Sequence, residues 1–288
     1  MKKRITVAHS PDADDIFMFY AIKFGWISSP EFEFESIALD IETLNVEALK
    51  GTYDITAISF GLYPRIRDEY ALLNSATSFG DGYGPKLIRR KDKVLKRNFR
   101  VALSGENTTN ALLFKLAYPE ARIKYYNFLE IENAVISGEV DAGVLIHESI
   151  LNFSNELEVE AEIWDIWQNF AGKETPLPLG GMAIRRSFPL TTAIKLQQII
   201  QDGVRVAVKN SPILSKMLLE RDLVRIEKDE LEKYLNLYAN NQSINISDTE
   251  EKALDKLFEI GFQKSIFDTK VETKNYTIPS DYADFRFS

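Results

Sequence analysis

Three short stretches of the chain carry side chains able to do chemistry. The first is Ser10-Pro11-Asp12-Ala13-Asp14-Asp15, where three carboxylates open an apolar helical run. Such oxygens suit a hard cation, but no Asp/Asn and Gly follow at the spacing of a calcium loop. The other use of these residues is as a helix N-cap, accepting from N–H groups that a first turn leaves unpaired. An acidic first turn also works against anions, so hydroxyls suit this loop better than carboxylates. The second stretch is Ser104-Gly105-Glu106-Asn107-Thr108-Thr109-Asn110, ahead of Ala111-Leu112-Leu113. Glycine for a tight turn, hydroxyl donors and a helix start make an anion loop, and a plain Thr cap accounts for the same pattern. It is not a phosphate-binding P-loop, because the Gly-Lys-Ser/Thr signature is missing. The third is His147, which follows the apolar run Ala142-Gly143-Val144-Leu145-Ile146 and precedes Glu148. An imidazole with an ordinary pKa of about 6.5 transfers protons near neutrality without extreme tuning. A buried structural histidine is the alternative. His9 is its only competitor, since the chain has 2 His. No Gly-x-Ser-x-Gly elbow is present, which disfavours a serine hydrolase.

Composition removes other chemistries. With 0 Cys there are no disulfides, iron–sulfur clusters, thiolate zinc sites or cysteine nucleophiles. Two histidines cannot build a three-His metal site, so no metal site is expected. The formal charge of −8 provides no broad basic field, arguing against nucleic acid or membrane as partner. The basic stretch from Arg89 to Arg100 lacks interleaved aromatics and reads as a solvated turn. The apolar run after Met1-Lys2-Lys3-Arg4 breaks at His9-Ser10-Pro11-Asp12, too early for a signal-peptide core, so a cytoplasmic location is expected.

The elements that must position these residues alternate. Residues 4–8 read as a buried strand, 14–24 as a helix, 32–39 as a half-buried strand, 43–50 as a helix ended by Gly51, and 54–59 as a strand. That order predicts an α/β fold with a largely parallel sheet. Near the end, Ser247-Asp248-Thr249-Glu250 is a capping box and Gly261 is expected to close its helix. Trp164 and Trp167, three apart, read as a core helix face.

The chain also echoes itself. Val7-Ala8-His9-Ser10 returns as Val101-Ala102-Leu103-Ser104, Lys50-Gly51-Thr52-Tyr53-Asp54 has a counterpart in Ser137-Gly138-Glu139-Val140-Asp141, and Ile88-Arg89-Arg90 returns as Ile184-Arg185-Arg186. Three ordered matches at similar offset imply two related lobes. The third pair, edged by Gly and Pro, is expected to form two crossover strands of a clamshell hinge. Residues 1–90 and 182–288 would then make the large lobe and 91–181 the small one. Open α/β sheets bind ligands beyond the carboxyl ends of their strands. Four loops meet that description, at residues 10–15, 59–61, 104–110 and after Ile146, and in a clamshell they converge.

These strings resemble a known family. Ser10 to Asp15 with Phe17 to Ala21, Gly105 with Thr108-Thr109, the run from Gly138 to Glu148, and Leu177 to Gly181 are similar to 1,4-dihydroxy-6-naphthoate synthases of menaquinone biosynthesis. The likeness runs to about residue 186, and the last hundred residues add little to it. It implies a periplasmic-binding-protein type II clamshell without a redox cofactor. It also implies conversion of cyclic dehypoxanthinylfutalosine to 1,4-dihydroxy-6-naphthoate plus dihydroxyacetone. The resemblance puts the proton acceptor at His147 and contacts to a small carboxylate substrate at Ala57, Ile58, Ser59, Thr109 and Asn110. Thr108, Ser10 and Asp14 join them from the cleft loops. Where the family more often has Ser-Pro-Cys-Pro-Asn-Asp, this chain has Asp12, Ala13 and Asp14, and Asn110 stands where Ala is usual. A clamshell binding protein without catalysis and a chorismate dehydratase-like enzyme are the rival readings.

Overall fold

The computed structural model describes residues 2–282. Its first part runs β1 (Lys3–His9), α1 (Ala13–Lys23), β2 (Phe32–Ala38), α2 (Ile41–Leu49), β3 (Ile55–Ser59), α3 (Tyr63–Ile66), β4 (Tyr70–Leu72) and β5 (Ser78–Gly80). Strand β1 pairs in parallel with β2 on one side and β3 on the other. Apolar residues of β1 and β3 are fully buried, as strands covered on both faces require. Gly51 ends α2 at φ +66°, a left-handed turn that glycine adopts without a Cβ penalty.

The second part runs β6 (Lys86–Arg90), β7 (Arg100–Leu103), α4 (Thr109–Ala117), β8 (Arg122–Tyr125), α5 (Ile131–Ile136), β9 (Ala142–Leu145), β10 (Leu157–Glu162) and α6 (Ile163–Ala171). Then β11 (Leu177–Arg185) returns to the first sheet, followed by α7 (Leu190–Lys209), α8 (Ser211–Glu220), α9 (Lys228–Tyr238) and α10 (Asp248–Gln263). Among the described residues, the first sheet has the order β2-β1-β3-β11-β4, with β5 also on β11. The second has the order β10-β6-β9-β7-β8.

Read in opposite directions, the two sheets are the same object. Strands β2, β1, β3 and β11 match β8, β7, β9 and β6: three parallel strands, then one antiparallel. Val7 pairs with Ile55 and Val101 with Ala142, so the echoed strings occupy equivalent strands. The echo's third pair is exchanged: β6 sits in the second sheet although it follows the first set of strands, and β11 sits in the first. The chain therefore crosses between Gly80 and Lys86, and again between Ala171 and Leu177. Both crossings come several residues earlier than the 90 and 182 read from the sequence.

One local expectation is corrected. Gly261 does not close its helix, because α10 continues to Gln263. Its missing side chain instead admits the ring of Phe267, which a Cβ would meet at 2.1 Å. The helices after residue 186 return to the first part, where α7 and α9 pack on α1. Trp167 is core, its indole N–H donating to Thr175 and Pro176 carbonyls. No helix among the described residues is long and apolar enough to cross a membrane.

Candidate active site

One cavity of about 90 Å³ opens between the sheets. The expected proton acceptor and every expected substrate-contact position line it. Ser10 and Asp14 come from the turn between β1 and α1, and Ala57, Ile58 and Ser59 from the end of β3. Thr108, Thr109 and Asn110 come from the start of α4, and His147 follows β9.

His147 has φ +53°, a left-handed conformation that a side-chain-bearing residue adopts only at a cost. Its Nδ1 lies 2.6 Å from Oδ2 of Asp12, and its ring meets Phe128 edge-on at 4.9 Å. The other nitrogen, Nε2, is buried without a partner. Burial pulls the imidazole pKa down. The Asp12 charge and hydrogen bond, with the charges of Glu148 and Asp14, outweigh this and hold it at about 9. Burial would conversely raise Asp12, but the facing imidazole and their hydrogen bond keep it below the usual carboxylate range.

Asp12 occupies the N-cap position of α1 yet makes no capping bond. Its side chain serves His147 instead, which corrects the capping role read from sequence. The Ala13 N–H instead donates to Oε1 of Glu148 at 2.9 Å. Asp15 turns back to accept from the Ser10 N–H at 2.7 Å, and burial with the Asp12 charge lifts its pKa to about 7. Asp14 accepts from the Tyr234 hydroxyl at 3.1 Å, and burial plus the charges of Asp12 and Asp15 push its carboxyl well up.

The opposite wall combines hydroxyls with the start of a helix. Thr108 caps α4, its hydroxyl accepting from Ala111 N–H at 3.1 Å, so cap and cavity wall are the same residue. The Thr109 hydroxyl accepts from Gly61 N–H and donates to the Leu179 carbonyl, leaving its backbone N–H for a ligand. Ser59 is held by Asn45, whose amide donates to its hydroxyl and accepts from its N–H.

His9 does not compete. It is 1 % exposed, with Nδ1 2.8 Å from the Ser10 carbonyl and Nε2 2.8 Å from the Ser36 hydroxyl. A carbonyl only accepts, so Nδ1 carries the proton and Nε2 takes the Ser36 hydrogen. Both nitrogens are spent. Asp12, Asp14 and His147 bring one ligand atom each within 4.8 Å of one another. An ion bound by both Asp12 and His147 at about 2.0–2.2 Å would have to displace their direct 2.6 Å contact.

Sequence reasoning missed Tyr234 and Tyr238 of α9, which close the cavity from the C-terminal helices. Their i,i+4 spacing put them on one face but could not say which cavity that face covers. It also missed Asn45, whose only signal is that it lies in α2 beside β3.

The family described as menaquinone biosynthesis matches residues 5–263. The chain belongs to that family. It is 28% identical over 258 residues to the 1,4-dihydroxy-6-naphtoate synthase of Thermus thermophilus, covering 88% of this chain and 92% of that protein. A crystal structure of an Archaeoglobus fulgidus protein superposes with a TM-score of 0.84 at 33% identity, covering 91% of this chain and 98% of the other. The periplasmic aliphatic sulphonate binding protein of Escherichia coli shares the fold at 9% identity, with a TM-score of 0.65 and coverage of 96% and 98%. The chain thus has a periplasmic-binding-protein-like fold, and the naming of its relatives supports an enzyme here.

Proposed function

We propose that this menaquinone biosynthesis family member is a lyase that converts cyclic dehypoxanthinylfutalosine to 1,4-dihydroxy-6-naphthoate and dihydroxyacetone. One observation carries the reading. The Ser10 and Ser104 hydroxyls, Asp12 Oδ1, Asn110 Oδ1 and His147 Nε2 are all buried without partners, and all five residues line the one cavity. Buried polar atoms are normally paired, so a cavity that concentrates unpaired ones awaits a polar ligand.

The cavity's polarity orients that ligand. Carboxylates crowd the α1 side, so the substrate's hydroxylated former sugar lies there, donating to Asp12 and Asp14. Its carboxylate lies against the free N–H groups at the start of α4 and the hydroxyls of Ser59 and Ser104. His147 Nε2 takes a proton from a substrate carbon while Nδ1–H stays on Asp12. The electron pair left on carbon drives the bond cleavages, and formation of the aromatic naphthalene makes them downhill.

Incubation of the purified chain with cyclic dehypoxanthinylfutalosine, followed by mass detection, tests the reading. Appearance of the naphthoate supports it. Recovery of the substrate intact, with binding seen calorimetrically, makes the chain a clamshell binder instead.

A further inference from the structure

The two members of the dyad come from different halves of the molecule. Asp12 follows β1 of the first sheet, and His147 follows β9 of the second. Other contacts span the same gap: Ala13 N–H to Glu148, Gly61 N–H to Thr109, and Asn107 N–H and side-chain amide to Glu42. We propose that Asp12 is a positioning residue that one lobe supplies to the imidazole of the other, so that His147 is oriented for reaction only when the cleft is shut.

Asp12 has two possible employers. Its backbone, at φ −81° and ψ 160°, already has the extended geometry of an N-cap. With the lobes apart, its carboxylate is free to cap α1. In the shut molecule Glu148 arrives from the other lobe to take the Ala13 N–H, and Asp12 is released to His147. Its Oδ1 remains buried and unpaired beside the cavity, 3 % of the residue being exposed.

The exchange resolves a difficulty in using His147 as a base. A solvated imidazole has a pKa of about 6.5 and is mostly neutral slightly above neutral pH. Shutting the cleft surrounds it with Asp12, Asp14 and Asp15 from the start of α1, with Glu148 beside it. Arg225, 3.6 Å from Glu148 and stacked over Phe128, is the opposing charge, and Tyr234 is held by Asp14. The ring's proton affinity therefore rises after the substrate is enclosed, and the proton it takes is the substrate's. The proposal rests on the reading of His147 as proton acceptor, but the cross-cleft pairing can be measured without any substrate.

The chain has 2 His and 0 Cys, which makes the test clean. Glu42→Cys and Asn107→Cys, joined by a short bis-maleimide, lock the lobes together. Ring-nitrogen NMR of the 15N-histidine-labelled full chain then follows His147 with pH, unlocked and locked, in the parent and in D12N. The locked parent is expected to titrate near 9, the unlocked parent lower, and locked D12N near the ordinary value of about 6.5. Identical midpoints with and without Asp12 in the locked chain would overturn the pairing. Identical midpoints locked and unlocked would overturn its dependence on closure. In turnover, D12N is expected to lose on the order of 10²- to 10⁴-fold in kcat with little change in KM, and D12E to recover part of it. If the parent makes no naphthoate, the functional reading falls while the titration still decides the pairing.

Discussion

The left-handed backbone at His147 narrows what can replace it. Asparagine tolerates that conformation and keeps an N–H to offer Asp12, so H147N is the least disruptive way to remove the base. With the native residue, kcat/KM is expected to rise with pH, because the imidazole must begin neutral. The limb should fall between the ordinary value of about 6.5 and the closed pair's value of about 9. A profile that falls over this range would make His147 an acid. His9 offers a control. Its two bonds are structural, so H9A should cost about 1–3 kcal/mol in denaturant unfolding while folded protein keeps its turnover. These two histidines also show what the sequence could and could not convey. Both stand at strand ends, and only long-range geometry separates a ring with both nitrogens bonded from one with Nε2 unpaired. The Asp12 to His147 contact links residues far apart in the chain and leaves no local mark. Nor does the Tyr234 hydroxyl's bond to Asp14.

Elements carried more of their own signature. The buried apolar run of β1, the capping box of α10 and the repeat of strand strings were all legible, because capping, burial and periodicity are local. The start of α4 was legible as a loop but not as a choice between cap and anion site, and Thr108 both caps the helix and lines the cavity. Two caps of similar chemistry separate these functions. T108A and S247A should each cost about 0.5–2 kcal/mol of stability, measured by urea titration. Only T108A should also raise KM. Equal effects on KM would remove α4 from the ligand site. Gly143 shows why the strand before His147 is so small: a Cβ there would meet Ile131 Cγ2 at 2.5 Å and Val135 at 3.0 Å. G143A is expected to destabilise by about 1–3 kcal/mol through overpacking of β9 against α5.

At the scale of the whole molecule, two similar sheets face each other and exchange one strand each, so each lobe is stitched to the other through the crossings. The site lies where the equivalent strand ends meet, which is why loops from four separate stretches could be picked out before any contact was known. The ionic pair across that gap makes stability depend on pH. His147 binds its proton more tightly folded than unfolded, so its contribution is full below about 6.5 and lost as pH rises through about 9. Thermal melts should therefore show a decline over that window which H147N lacks. Asp15, lifted to about 7, adds a second decline in both proteins, its contribution being lost as pH rises from its ordinary value through about 7. The crossing points, by contrast, were misplaced by several residues in the sequence reading, since β6 and β11 look alike and only pairing tells which sheet each one joins.

The central claim is that one cleft imidazole removes a proton from a bound futalosine-derived carbon acid. Its most direct test is a side-by-side time course of naphthoate release by the native chain and H147N, at equal substrate occupancy set by calorimetry. The native chain should yield naphthoate and dihydroxyacetone in equal amounts, with H147N slower by about 10²- to 10⁴-fold. Equal rates from both proteins would contradict the claim.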